Sequence, residues 1–443
     1  MKKGYGFRGW MLILYEFIAF CMYGCINQFG QNIHSAFNAE AFGWNAALVS
    51  TTYTIATIVM IAIQFVWGDK ICNSKNIKGI SLIIMLLATA GTLGMIFVTF
   101  SEAVWIICWM VAIFCSGFAS ILLIGVLIGQ WFPRRKGTVM GIATLAFPIV
   151  NGLGLSIFSA MFASGGLFAA WVPWLILDII GLVICIAFVK DYPEECGCFP
   201  DNDENMTAEQ ARAIMEQEKL AKKNSVWKLK NMFKCGDFWL LVIPQGILLM
   251  AAIGIMTQIM SILGMYPDFY AQYGTIVLLC FVPMGALGSF LVGLFDTKFG
   301  TKKAIILAVC LMLVSVILLF IGTIPALVAG LEIMQMFVGA SSNFEVSSAA
   351  QYWRREDFPT AYSLINPVAS VFQAIGPMVV AIIGLSMGFK TVFGVFIVLG
   401  IISLVLILLF KPERIAKKDA IYRKEAGLPA EGISRTAEEL LEK

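Results

Sequence analysis

Charged residues are scarce in this 443-residue chain, and histidine is almost absent. Asp, Glu, Lys and Arg together make up 13% of the residues, and His34 is the only histidine. Soluble domains carry about 25% charged residues, so the composition excludes a water-soluble enzyme. A net charge of +3 over the whole length also excludes a nucleic-acid-binding protein, because nucleic acid requires a concentrated basic surface.

Residues that perform chemistry are equally sparse. With one histidine, the chain lacks the nucleophile–base pairs and ligand clusters on which enzymes depend, so we expect no enzymatic activity. Cys196 and Cys198 are closely spaced, but no second cysteine pair accompanies them. We therefore expect neither a metal site nor a cofactor.

Long apolar stretches are abundant instead. Apolar residues make up 59% of the sequence, and the mean hydropathy is +0.85. They occur in blocks of about twenty residues, the length with which a helix crosses a hydrocarbon core of ~30 Å. We predict an all-α integral membrane protein with twelve transmembrane helices. The predicted spans lie near residues 10–33, 46–67, 79–100, 103–131, 137–163, 170–189, 238–264, 272–295, 303–322, 324–352, 359–386 and 389–410.

Polar stretches divide the spans into two groups. The predicted domains are a six-helix bundle over 1–190, a linker over 191–237, a second six-helix bundle over 238–410 and a tail over 411–443. The first span follows Lys2, Lys3 and Arg8, as the apolar part of a signal peptide would. It is long, however, and no small-residue cleavage site follows, so we expect it to be retained.

The distribution of Lys and Arg predicts the orientation. If the N-terminus is cytoplasmic, 30 of the 31 basic residues fall in cytoplasmic segments and only Lys390 falls outside. Basic residues concentrate on the cytoplasmic side of membrane proteins. We therefore predict a multi-pass protein of the cell membrane with both termini in the cytoplasm.

The two halves of the chain repeat each other in parallel. Corresponding motifs are Trp10 with Trp239, Asp69 with Asp296, and Gln130–Arg135 with Gln351–Arg355. The offset stays near 220–229 residues. Because each half has an even number of spans, the copies run in the same direction across the membrane. This arrangement is typical of transporters whose halves move about a site near the midplane.

These features resemble the major facilitator superfamily over nearly the whole chain. Gly293–Lys303 is similar to the loop signature of that superfamily, whereas the first copy, Gly68–Lys75, lacks the turn glycine. Within the superfamily, Trp131–Gly137 and Met232–Trp239 resemble the oxalate/formate antiporter and monocarboxylate-transporter branch. The resemblance implies a secondary carrier for small organic anions that works without ATP. It also implies that spans 1, 2, 4, 5, 7, 8, 10 and 11 line the cavity.

Four carboxyl residues lie inside the predicted spans, where an ionisable side chain is costly and therefore a candidate for function. They are Glu16, Asp178, Glu332 and Glu345, and no Lys or Arg lies deep in any span. We expect a structural hydrogen bond for Asp178 on span 6, and Glu345 points away from the face that carries Glu332. Polar residues at helical spacing align with the other carboxyls, although amides in membrane helices also bond neighbouring helices.

The predicted substrate and proton pathway consists of Glu16, Tyr23, Asn27, Gln31, Asn151, Glu332, Gln335, Asn343, Asn366 and Gln373. A second set lies at the predicted cytoplasmic ends of spans 2, 4, 8 and 10, where opposite charges could hold a gate shut. It consists of Asp69, Lys70, Arg134, Arg135, Asp296, Lys298, Arg354 and Arg355.

The charge inventory leaves two substrate classes open. A dicarboxylate would need a fixed basic partner, which the spans do not offer. A monocarboxylate could travel with a proton by symport or move by anion exchange. Alternatively, the substrate is neutral, zwitterionic or amine-bearing and pairs with a carboxylate. The partners expected from the sequence are thus a small molecule, protons and the lipid bilayer, while a ligand sensor on a transporter scaffold is a further alternative.

Overall fold

The computed structural model describes residues 4–72, 74, 76–132, 135–204, 207, 209–210, 212–213, 216, 225–341, 344–354 and 357–428. Helices account for nearly all of this part of the chain, and it contains no strand. Among the predicted site residues, Arg134, Asn343 and Arg355, together with the side chains of Asp69, Lys70 and Asn151, lie outside what the structure describes.

Six helices make up the first half. They are α1 (residues 6–42), α2 (Leu48–Cys72), α3 (Ile77–Phe97), α4 (residues 102–131), α5 (residues 136–164) and α6 (residues 167–187). The helical path from α5 into α6 is broken at Gly165 and Gly166, and Gly166 has a φ of 69°, which favours glycine. The first helix, α1, continues to residue 42 and so extends beyond its predicted end at residue 33.

The second half begins after the short helix Leu229–Phe233. Its helices are α7 (Gly236–Met256, followed by Ile259–Leu263), α8 (Pro267–Phe299), α9 (Thr301–Ile321), α10 (Ile324–Ser341, followed by Phe344–Tyr352), α11 (Phe358–Met387) and α12 (Phe389–Leu409). A further helix, α13 (Pro412–Glu425), lies in the predicted tail.

The predicted fold class is confirmed. Eight helices in the described part of the chain are long and apolar enough to cross a membrane, and one of them is the α5–α6 path that the glycine kink divides. Three shorter apolar helices, Leu48–Ile63, Glu102–Phe118 and Ile324–Val338, begin α2, α4 and α10. Together with the second piece of the divided helix, these give twelve apolar segments at the predicted positions.

Residue contacts divide the chain into two compact units. The first comprises Met1–Met215 and Met256–Val282, and the second comprises Glu216–Ile255 and Pro283–Lys443. The segment around α7 and α8 is thus shared between the units. The boundaries predicted at residues 190, 237 and 410 follow the order of spans rather than contacts, and they stay a prediction.

Close approach of α1 and α4 organises the first unit. The Trp109 indole Nε1 donates a hydrogen bond to the carbonyl of Ile26 at 3.1 Å, and the ring is fully buried. A side chain at Gly30 would collide with this indole. Glycine at position 30 therefore allows the two helices to pack closely and fixes the orientation of the polar face of α1.

A capping box lies at the start of the helical part of the polar linker. Thr207 and Gln210 stand in the spacing of a capping box, in which each side chain bonds the backbone of the other. Both hydrogen bonds are present, from the Thr207 amide to Gln210 Oε1 and from the Gln210 amide to Thr207 Oγ1, each at 3.2 Å.

Candidate functional site

The polar face of α1 lies inside the first unit. Glu16, Tyr23, Asn27 and Gln31 are all buried, and Glu16 is 0% exposed. Their spacings of seven, four and four residues place them along one side of the helix. A π-helical turn at Cys25–Phe29 lies within this row. Such turns often mark functional sites in helices.

Three of these residues form one hydrogen-bonded row with α2. The Gln31 Nε2 donates to Asn27 Oδ1 at 3.0 Å, and the Asn27 Nδ2 donates to the Tyr53 hydroxyl at 3.4 Å. Tyr53 is also hydrogen-bonded to Tyr23 and Thr57. Sequence reasoning missed Tyr53, although it stands on the α2 face that also carries Thr57. The row is a set of uncharged donors and acceptors that is fully enclosed by protein.

Glu16 has no such partners. Both carboxyl oxygens are buried, and neither makes a hydrogen bond to any described residue. The buried Lys and Arg side chains of the described chain are Arg354 and Arg423, and both belong to the second unit. Glu16 is therefore a carboxyl whose charge no described group of its own unit balances.

Asp178 is buried on α6, where we expected a structural hydrogen bond. Thr92 of α3 is the polar side chain that interacts with its carboxyl, and Oδ2 makes no hydrogen bond to a described residue. Trp171 and Trp174 line the same small pocket, together with Cys25 on α1. The contact ties α6 to α3, in keeping with a role in packing.

In the second unit, Glu345 and Asn366 form the centre of a polar cluster. The Asn366 Nδ2 donates to Glu345 Oε2 at 3.0 Å and to the Tyr362 hydroxyl at 3.3 Å. The Ser370 hydroxyl lies 3.5 Å from Asn366 Oδ1. On α7, the Gln245 Nε2 donates to Ser348 Oγ at 2.9 Å, one helical turn after Glu345. The structure thus brings together a carboxyl, amides and hydroxyls from α7, α10 and α11.

The sequence prediction set Glu345 apart from the face that carries Glu332 and Gln335. Glu345 lies in the helical segment Phe344–Tyr352, and its polar partner there is Asn366 of α11. Glu332 and Gln335 are a pair one turn apart whose side-chain polar atoms are buried without hydrogen bonds to described residues. Gln373 lies half-buried on α11.

The described members of the predicted gate have separate surroundings. The Arg135 guanidinium lies 5.5 Å from the centre of the Tyr5 ring. Asp296 and Lys298 stand near the end of α8, before Gly300, whose φ of 89° makes the turn into α9. The Thr301 amide donates to Gln351 Oε1 at 2.7 Å, which joins this turn to the end of α10.

Arg354 belongs to a buried charge network with the tail helix α13. Its Nε lies 2.6 Å from Asp419 Oδ2, and Arg423 Nη2 lies 2.6 Å from Asp357 Oδ2. The Trp227 Nε1 donates to Asp419 Oδ1 at 2.9 Å. The predicted linker and tail therefore meet at the end of α10, which their polar composition did not indicate.

Asn32 is a second residue that the prediction missed. The α-helical part of α7 ends at Met256, and a new helix begins at Ile259. Asn32 Nδ2 donates to the Met256 carbonyl at 3.0 Å, while Asn32 Oδ1 accepts from the Met260 amide at 3.1 Å. Since the interruption leaves backbone groups without helical partners, this one amide satisfies both sides of it. The residues between Met256 and Met260 include neither Gly nor Pro, so no sequence signal marks the break.

Replacing Asn32 by Ala is expected to loosen the break in α7. The Met256 carbonyl and the Met260 amide would lose their partners, at about 1–3 kcal/mol for each buried group. Hydrogen–deuterium exchange of the peptide over residues 256–264 should become faster by about fivefold or more. Asn38→Ala, at an equally buried position on α1, is the matched control and should leave this peptide unchanged. Equal exchange in both variants would contradict the bridging role.

Comparison with known proteins identifies the same architecture. The family model described as Major Facilitator Superfamily matches residues 13–275 and again residues 238–437, in keeping with the predicted repeat. A search of the curated protein sequences gave no match.

Solved structures of transporters share the fold. A D-xylose–proton symporter aligns with a TM-score of 0.63 at 13% identity, covering 91% of this chain and 97% of its own. The nucleoside transporter NupG aligns with a TM-score of 0.59 at 14% identity, covering 90% and 97%. The human organic anion transporter MFSD10 aligns with a TM-score of 0.57 at 14% identity, again covering 90% and 97%. Their stated substrates differ widely, so the common element is the fold.

Proposed function

This chain belongs to the Major Facilitator Superfamily, and we propose that the secondary transporter it forms moves a small organic anion, a monocarboxylate, together with a proton. The protein is a multi-pass membrane transporter. The similarity of Trp131–Gly137 and Met232–Trp239 to the oxalate/formate and monocarboxylate branch supports the anionic substrate. The excess of basic residues on one side supports a cell-membrane location with both termini in the cytoplasm.

The observation that carries the proton coupling is the isolation of Glu16. An ionised carboxylate in a dry interior costs several kcal/mol unless a cation and hydrogen bonds compensate it. Glu16 is 0% exposed, and its oxygens make no hydrogen bond to a described residue. We infer that Glu16 is occupied by a proton in this state and releases it when the transport cycle brings water to the carboxyl.

Neutral donors would then hold the substrate. Tyr23, Asn27, Gln31 and Tyr53 supply amide and phenol groups without a positive charge. Such a set suits a carboxylate whose charge is balanced by a proton carried alongside it. Glu345, held by Asn366, offers a second carboxyl for the same purpose in the other unit.

A second candidate substrate is an amine or a zwitterion. It is favoured by the same inventory, because Glu16, Asp178 and Glu345 are buried in the helices while the buried arginines lie at the α10–α13 network. A carboxylate that releases its proton could pair directly with an ammonium group. The transporter would then exchange a proton for the amine, instead of carrying a proton and an anion in the same direction.

Counterflow in proteoliposomes distinguishes these candidates. Vesicles are loaded in parallel with monocarboxylates, dicarboxylates, amino acids and organic amines, and a dye reports the internal pH. We expect loaded monocarboxylates to accelerate the uptake of label, with protons leaving the vesicles together with the net efflux of the monocarboxylate. Acceleration without proton movement would indicate anion exchange. Acceleration by amines alone, with protons moving the opposite way, would replace the anion proposal by the second candidate.

The charged ends of α8 and α10 are proposed to latch one state of the transport cycle. Asp296→Asn should weaken the latch and slow transport. A water-soluble reagent should also label residues near the ends of α8 and α10 more strongly than in the original protein. Asp268→Asn provides the control, because Asp268 is an exposed carboxylate in the first turn of the same helix. If both variants transported and labelled like the original protein, the charges of this region would serve only to orient the chain in the membrane.

A further inference from the structure

The tail helix α13 has two faces of different character. Ile415, Asp419 and Arg423 are buried, and the last two take part in the charge network with Arg354 and Asp357. This network sets the rotation of α13 about its axis. Lys417 and Lys424 consequently lie on the exposed side, and Lys411, immediately before α13, is exposed as well.

The short helix Leu229–Phe233 continues that exposed surface. Lys418 Nζ donates to the Lys234 carbonyl at 3.2 Å, and the Tyr422 hydroxyl lies 3.4 Å from the Asn231 carbonyl. These contacts place the short helix beside α13 within the second unit. Lys230 on this helix and Lys228 and Lys234 at its ends are all exposed. We call these three lysines together with Lys411, Lys417 and Lys424 the basic face.

The basic face lies next to the ends of two membrane helices. Lys234 comes two residues before α7 begins at Gly236, and Lys411 comes two residues after α12 ends at Leu409. Asp237, the carboxylate in the first turn of α7, is already engaged by Arg414 at 3.6 Å and by the Lys411 amide at 3.3 Å. The exposed carboxylates of α13 are Glu413 and Glu425, so the six lysines outnumber them.

Exposed apolar side chains accompany these charges. Leu229 is 52% exposed, Phe233 is 40% exposed and Ile421 on α13 is 53% exposed. The Trp239 Nε1 donates to the Phe233 carbonyl at 3.0 Å, which fixes an indole at the start of α7. Lysines mixed with exposed apolar and aromatic residues are typical of helices that lie in the headgroup layer of a membrane.

We propose that the basic face binds the headgroups of anionic phospholipids in the leaflet where α7 begins and α12 ends. Clusters of four to eight basic residues at the end of a membrane helix attract anionic lipid, with each residue contributing about a fivefold gain in binding. The partner is the lipid surface itself, because the apolar side chains between the lysines suit acyl chains. This surface is independent of the substrate and proton sites proposed above.

Electron paramagnetic resonance with spin-labelled lipids tests the proposal on the full-length protein. The purified chain is reconstituted in phosphatidylcholine bilayers, and its association with labelled phosphatidylglycerol is measured relative to labelled phosphatidylcholine. We expect a preference for phosphatidylglycerol that falls when salt shortens the Debye length from about 30 Å to about 3 Å. Equal association of both lipids would overturn the proposal.

Three variants with the same change in charge locate the preference. Lys228, Lys230 and Lys234 are replaced by Gln in one, and Lys411, Lys417 and Lys424 in the second. Each should lower the phosphatidylglycerol preference by about fivefold or more. The control replaces Lys298, Lys303 and Lys390 by Gln, none of which belongs to the basic face, and should retain the preference. An equal loss in the control would show a general charge effect and overturn the assignment of the surface.

A final experiment with a soluble anion tests whether the basic face binds free anions instead of lipid headgroups. Inorganic phosphate at millimolar concentration should leave the lipid preference unchanged beyond its effect on ionic strength. If phosphate displaced phosphatidylglycerol while sodium chloride of the same ionic strength did not, the surface would be a site for a free anion instead.

Discussion

Glu16→Gln should uncouple transport from the proton gradient. A proton symporter exposed to a gradient of two pH units can accumulate its substrate about a hundredfold, because each unit supplies about 1.4 kcal/mol. Glutamine keeps the size and polarity of the side chain but cannot take up or release a proton. We therefore expect the accumulation ratio to fall from about 100 to about 1, while counterflow without a gradient continues. Accumulation in proteoliposomes and counterflow in the same preparation give the two readings.

Asp178→Asn is the matched control for Glu16. It removes a carboxyl that is also buried in the first unit but is bonded to Thr92. We expect this variant to retain gradient-driven accumulation. Full accumulation by Glu16→Gln would remove Glu16 from the proton pathway, and loss in both variants would indicate damage to the first unit rather than loss of a proton site. Glu345→Gln would then examine the carboxyl of the second unit.

Asp419→Ala should destabilise the second unit by about 3–5 kcal/mol, the usual cost of leaving a buried charge without its partner. Asp419 accepts hydrogen bonds from Arg354, Arg423 and Trp227. Its removal leaves Arg354 buried without the carboxylate that lies 2.6 Å away. A marked fall in the melting temperature of the purified protein, and exposure of the Trp227–Trp353 contact to a fluorescence quencher, should report the change.

Two further variants separate the charge effect from a general effect of mutation on α13. Glu413→Ala removes an exposed carboxylate from the same helix and should change stability by no more than about 0.5 kcal/mol. Replacing Arg354 by Met together with Asp419→Ala removes both charges of the pair, and should recover part of the lost stability. If the single and double variants melted at the same temperature, the pair would not be the source of the loss.

Much of the membrane architecture follows from local properties of the sequence. Apolar blocks of about twenty residues are enough to predict a spanning helix, since the cost of unpaired backbone groups in lipid leaves few other structures. For this reason α3, α9 and α12 begin within a few residues of their predicted positions. The turn at Gly300 and the capping box at Thr207 were equally accessible, because each depends on neighbouring residues alone.

The polar face of α1 was also accessible, because helical periodicity places its residues together. The contacts of this face with other parts of the chain could not be predicted from the sequence. Tyr53 reaches Asn27 from another helix, and Asn32 bonds backbone atoms more than two hundred residues away in the chain. Glu345 of α10 likewise bonds Asn366 of α11, a contact between two helices that the periodicity of either one cannot show.

The amino-acid sequence by itself determined that this protein is a twelve-helix membrane transporter with a repeated half and carboxyl groups inside its helices. Hydropathy and helical spacing act over a few turns, so they can be read along one segment at a time. The tertiary structure alone decided which polar groups meet: Asn32 with the break in α7, Glu345 with Asn366, and the tail helix with Arg354 and Trp227. Buried polar groups must find partners wherever the packing of helices places them, and that packing is a property of the whole chain.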